Sequence, residues 1–180
     1  MPTDRVLSIS ATIIAFCAIC ISIWQGNMAR QHNRLSLAPY ITSAPEINQS
    51  ENKSGVYVYN DGTGPAFIKK AFLIANGKTF DLTKNSWPEI YKHLDIETLC
   101  HYQSWFKEGT VLRSAESIKI LSPEKSENDK CYIEFIKFLG SYELDLHFVY
   151  DSIYKEEYQY KQRIGIDIRE FETYKSILKF

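Results

Sequence analysis

A single uncharged stretch near the N-terminus, residues 6–25, constrains this chain more than any other feature of its sequence. A helix rises about 1.5 Å per residue, so about 20 apolar residues span the roughly 30 Å hydrocarbon layer of a bilayer. Trp24 falls where an aromatic side chain would lie at the membrane interface. Because the stretch is longer than the roughly 7–15 apolar residues of a signal peptide, we expect an uncleaved signal-anchor helix.

Pro39 sets the boundary between this helix and the rest of the chain. A proline pushes the residue before it into an extended conformation, so the helix is expected to end before Ala38. We therefore divide the chain into a membrane helix with a juxtamembrane extension, residues 1–35, and one soluble domain, residues 36–180. The domain's tyrosines and phenylalanines favour strands. We expect a mainly β (α+β) fold, an antiparallel β-sandwich-like domain with short helices.

The clearest strand pair in the sequence is a hairpin that begins at residue 67. Residues 67–75 and 79–82 are rich in apolar side chains, and the intervening Asn-Gly-Lys at 76–78 is a strong turn signal. Residues 142–150 alternate apolar and polar side chains, which predicts a strand with one buried face. Residues 157–168 are expected to return beside it, and the domain shows about seven such strands.

Three short helices are expected within the domain. Ser86 has the spacing of a capping box and predicts a helix that runs to about Thr98. A second helix is expected to begin at Ser126 or Asn128 and to end at Gly140. The last residues, 169–180, predict a third.

The charges beside the membrane stretch give a small bias in its orientation. Arg5 precedes the stretch, whereas a basic collar of three residues, Arg30, His32 and Arg34, follows it. Flanks that are richer in lysine and arginine tend to stay in the cytoplasm, which predicts a cytoplasmic domain with free thiols. The collar also suits anionic lipid head groups, at about 1 kcal/mol per basic residue near the surface.

Small residues recur at heptad spacing along the predicted membrane helix. In lipid, small side chains promote helix association because they let two backbones approach closely, and a serine can bond across the contact. We expect this seam to pair with a second copy or with another membrane helix. The seam residues are Ser8, Ala11, Ala15, Ala18 and Ser22.

A turn with two glycines and a proline follows the segment at residues 56–60. Asn60 can bond to the backbone two residues on, and Gly62 and Gly64 are expected to supply positive φ. Pro65 stiffens the start of the next strand. A phosphate-binding loop is the alternative interpretation, but no Lys-Ser/Thr pair follows the glycines and a strand, not a helix, comes next.

Two sequence patterns resemble a known group of proteins. Residues 30–41 are similar to a juxtamembrane R-x-H-N-R-L-S-x-x-P segment, and residues 59–80 are similar to an N-x-G-x-G-P-A turn followed by a hairpin. Together, behind one N-terminal helix, they resemble small uncharacterised bacterial single-pass membrane proteins. The resemblance implies an architecture and carries no activity with it.

Cysteine and histidine residues suggest two further kinds of site. His93, Cys100, His101 and Cys131 could form a metal group, but their spacing matches no zinc motif, and two buried thiols with two surface imidazoles is the simpler interpretation. Cys131, near a predicted helix start, is a weak candidate for a nucleophile. If the domain faces an oxidising space, Cys100 and Cys131 could instead pair.

Two other groups of polar and aromatic residues are interpreted as parts of a sheet. Asp145, His147 and Asp151 fall on or near one strand face, where they could hold a metal or a proton but more often form a solvated face. A cluster of tyrosines near the C-terminus could stack bases, although packing of the sheet explains it better. The cluster comprises Tyr142, Tyr150, Tyr154, Tyr158 and Tyr160.

These observations predict a class of protein but no specific reaction. The expected function is a non-enzymatic, single-pass membrane protein whose domain binds another protein. The alternative is a membrane-tethered ligand sensor or effector that oligomerises through its helix, and a tethered hydrolase comes third. We expect no cofactor, no metal and no nucleic acid, because the net charge is -1 and no motif for such a ligand is present.

Overall fold

A computed structural model describes residues 2–47, 53–96, 100–124 and 130–166, and the chain divides into two units, Met1–Leu37 and Ala38–Phe180. The first unit is one helix, α1 (Pro2–Ser36). Its part Leu7–Ser36 contains an 18-residue window with a mean hydropathy of 2.2 and no buried residues, so the helix is long and apolar enough to cross a membrane. The helix ends before Pro39, as that proline predicted.

The second unit is built mainly from nine strands among the described residues. Two short helices and a 3-10 turn at Leu82–Lys84 connect them. In chain order the elements are β1 (Ile41–Glu46), β2 (Gly55–Asn60), β3 (Ala66–Ala75), β4 (Lys78–Asp81), α2 (Trp87–His93), β5 (His101–Gln103), β6 (Val111–Leu112), β7 (Ser117–Pro123), α3 (Lys130–Ser141), β8 (Leu144–Asp151) and β9 (Glu157–Arg163).

The strands form two antiparallel sheets. The first sheet has the order β1-β2-β7-β5, and the second has the order β4-β3-β8-β9 with β6 paired to β3. Buried side chains of both sheets and of α2 and α3 belong to one hydrophobic cluster. The predicted class, mainly β with short helices behind an apolar helix, is confirmed.

Two strong local sequence signals, the Asn-Gly turn and the alternation in residues 142–150, predicted their elements correctly. In the turn between β3 and β4, Asn76 and Gly77 have φ values of 46° and 79°, as a tight hairpin turn requires. Strand β8 alternates strictly between buried and half-buried residues. Its buried face carries the four residues that the sequence assigned to it, Leu144, Leu146, Phe148 and Tyr150.

The helix boundaries differ from the sequence prediction in two places. Helix α2 ends at His93. Ser86 is its N-cap residue, as predicted, but the Ser86 hydroxyl donates to the Asp81 carbonyl (2.8 Å) and makes no capping bond. Helix α3 continues to Ser141, one residue beyond the predicted stop. The predicted start of α3 and the predicted helix over residues 169–180 lie outside the described residues.

The side chain of Asn60 joins three parts of the domain. Its Oδ1 accepts hydrogen bonds from the N–H groups of Tyr40 and Gly62 (both 3.1 Å). Its Nδ2 donates to the carbonyls of Gly64 (2.8 Å) and Leu112 (2.9 Å). Asn60 is fully buried, and all four bonding positions of its amide are used. The turn is therefore tied both to the segment that follows α1 and to β6.

Gly62 is required in this turn for a different reason from the one the sequence suggested. The glycines with positive φ in the described chain are Gly77 and Gly109, and neither Gly62 nor Gly64 is among them. A Cβ on Gly62 would lie 2.3 Å from the Tyr40 nitrogen and 2.5 Å from the Ala38 oxygen. The prediction of positive φ was wrong, and close approach of the 38–40 backbone explains this glycine.

We predict that Gly62→Ala destabilises the domain more than Gly77→Ala does. The first change forces backbone apart, and overpacking of this kind costs about 1–3 kcal/mol or more. The second has open space around its Cβ and adds only the left-handed strain of about 1–2 kcal/mol. Chemical unfolding of the purified full chain, followed by tryptophan fluorescence, measures both. A Gly62→Ala variant as stable as the parent would contradict the close-approach explanation.

Candidate functional site

A disulfide links the start of β5 to the first turn of α3. Cys100 and Cys131 are bonded, with their Cα atoms 5.0 Å apart, within the range that a disulfide needs. The bond closes a loop between residues 31 apart and holds the short edge strand β5 against the helix. The expectation of two free thiols in the domain is therefore wrong, and the alternative of a Cys100–Cys131 pair is what the structure has.

The disulfide changes the interpretation of the two reactive sites considered in the sequence. A nucleophilic Cys131 would need a thiolate, and its sulfur is bonded to Cys100. The ligand atoms of Cys100, Cys131 and Glu124 lie within 4.8 Å of one another, but a sulfur in a disulfide is a poor metal ligand. His93 instead contacts the ring of Phe80 at 5.5 Å.

His101 follows the disulfide and is buried, not at the surface as the sequence suggested. Its side chain lies between the rings of Phe135 and Phe138, each with a centroid 5.9 Å away. Only 8% of the residue is exposed, and neither ring nitrogen has a hydrogen-bond partner among the described residues. Burial lowers the pKa of His101 from 6.5 to about 4, so the imidazole is neutral at pH 7.

A cavity of about 210 Å³ opens beside His101. Helix α3 contributes most of its wall, and the disulfide fixes that helix relative to β5. The cavity is lined by Ile96, His101, Glu134, Lys137, Phe138, Ser141 and Tyr142. Its lining is mixed, with four polar or charged residues among seven, and its volume is below the about 300–1,000 Å³ of most small-molecule sites.

The outer edge of β1 is closed by side chains from the second sheet. The N–H of Ile41 donates to the Tyr150 hydroxyl (3.4 Å), and the N–H of Ser43 donates to the Tyr160 hydroxyl (2.7 Å). Alternate residues of a strand direct their amides the same way, and the next one, Pro45, has no N–H. The outward amides of β1 are therefore all satisfied or absent.

The outer edge of β9 differs from that of β1. In the β8–β9 pair, Ser152 N–H donates to Glu156 (2.9 Å) and Ile164 N–H donates to Leu144 (2.8 Å), so even-numbered residues of β9 face β8. The odd-numbered ones direct their N–H and C=O groups outward. Among the described strands, β8 is the sole neighbour of β9. The outward residues are Glu157, Gln159, Lys161 and Arg163.

The remaining edge strands are short. Strand β6 has two residues, β5 has three and β4 has four, whereas β9 has seven. Short edge strands offer few unpaired groups to another chain, and so does an edge capped as β1 is. Strand β9 is thus the one long edge of the described sheets that retains a row of available backbone groups.

Polar residues on the outer face of the second sheet are engaged with one another. Asp145 lies 3.8 Å from the Lys161 ammonium, and Asp151 lies 3.5 Å from that of Lys69. His147 contacts the ring of Phe72 at 5.9 Å. These side chains do lie on one face as predicted, and their contacts are those of a solvated sheet face.

The tyrosines near the C-terminus are mainly involved in packing. Tyr150 and Tyr160 close the edge of β1, and the Tyr142 hydroxyl donates to the Leu94 carbonyl (3.1 Å). Tyr150 and Tyr158 stack with their ring centroids 5.7 Å apart. Burial raises the pKa of Tyr160, which keeps its hydroxyl protonated.

The residues of the predicted helix seam and basic collar all lie on α1. The side chains of Arg30, His32 and Arg34 are exposed within this unit, as are those of the seam. The Ser22 hydroxyl donates to the Ala18 carbonyl of its own helix (2.8 Å). Its oxygen remains free to accept a bond across a contact.

Comparison of the chain with protein-family models, with curated proteins and with solved structures gives no match. The candidate functional features therefore rest on the geometry alone. Sequence reasoning named Cys100, Cys131 and His101 and kept the disulfide as an alternative, but it preferred free thiols and placed the His101 imidazole at the surface. It missed the open β9 edge, for which the polar, proline-free sequence of residues 157–163 was the available signal.

We predict that His101 makes the domain less stable in acid. The folded-state pKa of about 4 lies below the ordinary value of 6.5, so the unfolded chain takes up the proton first as the pH falls. About 3 kcal/mol of stability should be lost between pH 7 and pH 4 through this group. His101→Phe should remove that part of the pH dependence, whereas His93→Gln, at an exposed position, should not.

Urea unfolding of the three proteins at several pH values tests this. Equal acid sensitivity of the parent and His101→Phe would show that the buried imidazole does not titrate in this way.

Proposed function

We propose that this chain is a single-pass membrane protein whose domain lies on the oxidising side of the membrane and binds another protein. The apolar helix supports the anchor, because its uncharged stretch, residues 6–25, has the about 20 residues that a bilayer requires. The resemblance to small bacterial single-pass membrane proteins points to the same architecture.

The Cys100–Cys131 disulfide is the main support for placing the domain on the oxidising side of the membrane. Disulfides persist in oxidising compartments and are reduced in the bacterial cytoplasm. The opposing argument is the flank charge, which favours a cytoplasmic domain through Arg30 and Arg34 against Arg5 alone. A disulfide that pins an edge strand to a helix is the stronger argument, and we infer the reverse of the orientation that the charges favour.

The open edge of β9 is the main support for the proposed binding of another protein. A strand edge with unpaired N–H and C=O groups binds an extended segment of another chain by adding a strand to the sheet. The two sheets otherwise protect their edges, through tyrosine hydroxyls and Pro45 on β1 and through short length on β4 and β5. An edge left open in such a domain suits a binding surface.

The helix supports a second contact in the membrane. Its seam of small residues from Ser8 to Ser22 suits pairing with a second copy or with another membrane helix. The collar Arg30, His32 and Arg34 follows the apolar stretch, where it would meet lipid head groups. The partners proposed are thus the bilayer, a membrane helix and a protein strand.

We predict that the domain thiols resist labelling from both sides of the membrane. An impermeant maleimide should not react with Cys100 or Cys131 in intact or lysed cells until a reductant is added. A cysteine introduced at Lys84, whose side chain is 79% exposed, should label from outside. Free thiols at 100 and 131 after lysis, or labelling of the Lys84→Cys variant only after lysis, would contradict the orientation.

We predict protein adducts from the β9 edge. A photo-crosslinking amino acid at Gln159 or Lys161, in full-length protein in native membranes, should yield adducts with a discrete protein. The same probe at Lys84, which is more solvent-exposed than Lys161 but distant from β9 in the sheet order, should yield none. Absence of adducts at both edge positions would contradict the proposal. It would favour the alternative of a ligand sensor, which the cavity beside buried His101 supports.

A further inference from the structure

We propose that the partner of the β9 edge is the β9 strand of a second copy of this chain. The two strands would pair antiparallel about a twofold axis that passes at Tyr160. This inference rests on the proposed binding role of β9 and names its partner. The pairing would join the two four-strand paths β4-β3-β8-β9 into one continuous sheet across the dimer.

The backbone geometry of β9 permits this pairing. The outward groups belong to the odd-numbered residues, and a twofold axis at residue 160 places odd residues opposite odd residues. Gln159 then faces Lys161 of the other copy, and Glu157 faces Arg163 of the other copy. Each pair is of the hydrogen-bonded kind, in which two residues exchange both N–H···O bonds. The edge is therefore complementary to itself over its full length.

The charges of β9 and its length together favour this register. Side chains of facing residues lie on the same side of the sheet, so Glu157 meets Arg163 twice in the symmetric dimer. Moving the axis to residue 161 would place Lys161 opposite itself, which is unfavourable. Moving it to residue 159 would pair Glu157 with Lys161 but would leave Arg163 opposite a residue beyond the end of β9. The axis at Tyr160 is the register that matches both ends.

The neighbouring ion pairs are compatible with the dimer. Glu157 lies 2.8 Å from the Lys69 ammonium, and Arg163 lies 3.5 Å from Glu143. All four side chains are about half exposed or more, so each charge retains room for a second partner. Membrane anchoring would also favour pairing of identical chains, because it confines both copies to one surface and raises their effective concentration.

Cysteine crosslinking in the full-length protein tests the register. In a background that carries Cys17→Ala and Cys20→Ala, one tagged copy receives Gln159→Cys and a differently tagged copy receives Lys161→Cys. Facing residues of this kind have Cα atoms about 5.5 Å apart, which suits a disulfide. Each variant alone places its cysteines beyond the about 7 Å limit. We expect the mixed dimer to form roughly fivefold more disulfide than either variant alone.

Charge reversal provides the matched control. Arg163→Glu should lower the mixed disulfide about five- to thirtyfold, because two like-charged pairs replace two opposite pairs. Adding Glu157→Arg to the same chain should restore it. Because crosslinking reads the β9 contact itself, association through the membrane helix does not imitate this pattern.

Each result has a defined meaning for the two proposals. Equal crosslinking in mixed and single variants, or no rescue by the double reversal, would overturn the β9 dimer. If photo-adducts at Gln159 then contain a different protein, the proposed binding function stands without the dimer. If neither cysteine crosslinks nor photo-adducts form, both proposals fail.

Discussion

The amide side chain of Asn60 makes the hydrogen bonds on which the rest of the domain depends. It is fully buried, at the end of β2. Its bonds reach Tyr40 and Leu112, which belong to the segment after α1 and to a strand of the second sheet. A buried polar group that loses its partner costs about 1–3 kcal/mol, so each of these bonds is expensive to break. The close approach at Gly62 follows from the same arrangement.

This junction also explains why two sequence patterns occur together in one chain. The Ala38–Tyr40 backbone bonds to the turn, since Asp61 N–H donates to the Tyr40 carbonyl at 2.8 Å. The S-x-x-P segment and the N-x-G-x-G-P-A turn are therefore two halves of one contact. A chain that places a folded domain directly after a long helix gains a fixed first strand from this contact, and β1 begins at the next residue, Ile41.

The difference between the closed edge of β1 and the open edge of β9 connects the fold to the proposed function. Strand β1 lies at the edge of its sheet, and two tyrosine hydroxyls and a proline leave it without available amides. Strand β9 supplies one of those tyrosines, Tyr160, from its inner face while its outer edge stays open. The same strand thus closes one edge and offers another. Its outward charges, Lys161 and Arg163 among them, limit which partner can pair with it.

The sequence predicted correctly those elements that depend on residues close together in the chain. The Asn76-Gly77 turn, the alternation in β8 and the helix end before Pro39 each depend on a few neighbouring residues, and the sequence contained them. The errors arose where tertiary contacts decide. Ser86 finds the Asp81 carbonyl instead of its own helix, and Gly62 is fixed by a backbone 22 positions earlier.

The candidate site was least accessible to sequence reasoning because it joins distant residues. The disulfide links residues 31 positions apart, and no spacing motif in the sequence indicates it. The burial of His101 depends on α3, which lies about 30 residues further along the chain. The openness of β9 depends on sheet order, which local periodicity does not specify. Only the residue types, cysteine, histidine and an uninterrupted polar strand, were visible in advance.

The proposal requires that β1 is a closed edge and that β9 is an open one that a second copy covers. Amide hydrogen exchange on the full chain, measured at several protein concentrations, distinguishes the two edges. We expect the amides of Ile41 and Ser43 to stay protected at every concentration. The amides of Gln159 and Lys161 should exchange rapidly in dilute monomer and become protected as the chain associates. Protection of Gln159 and Lys161 in the monomer, or rapid exchange at Ile41 and Ser43, would contradict the proposal.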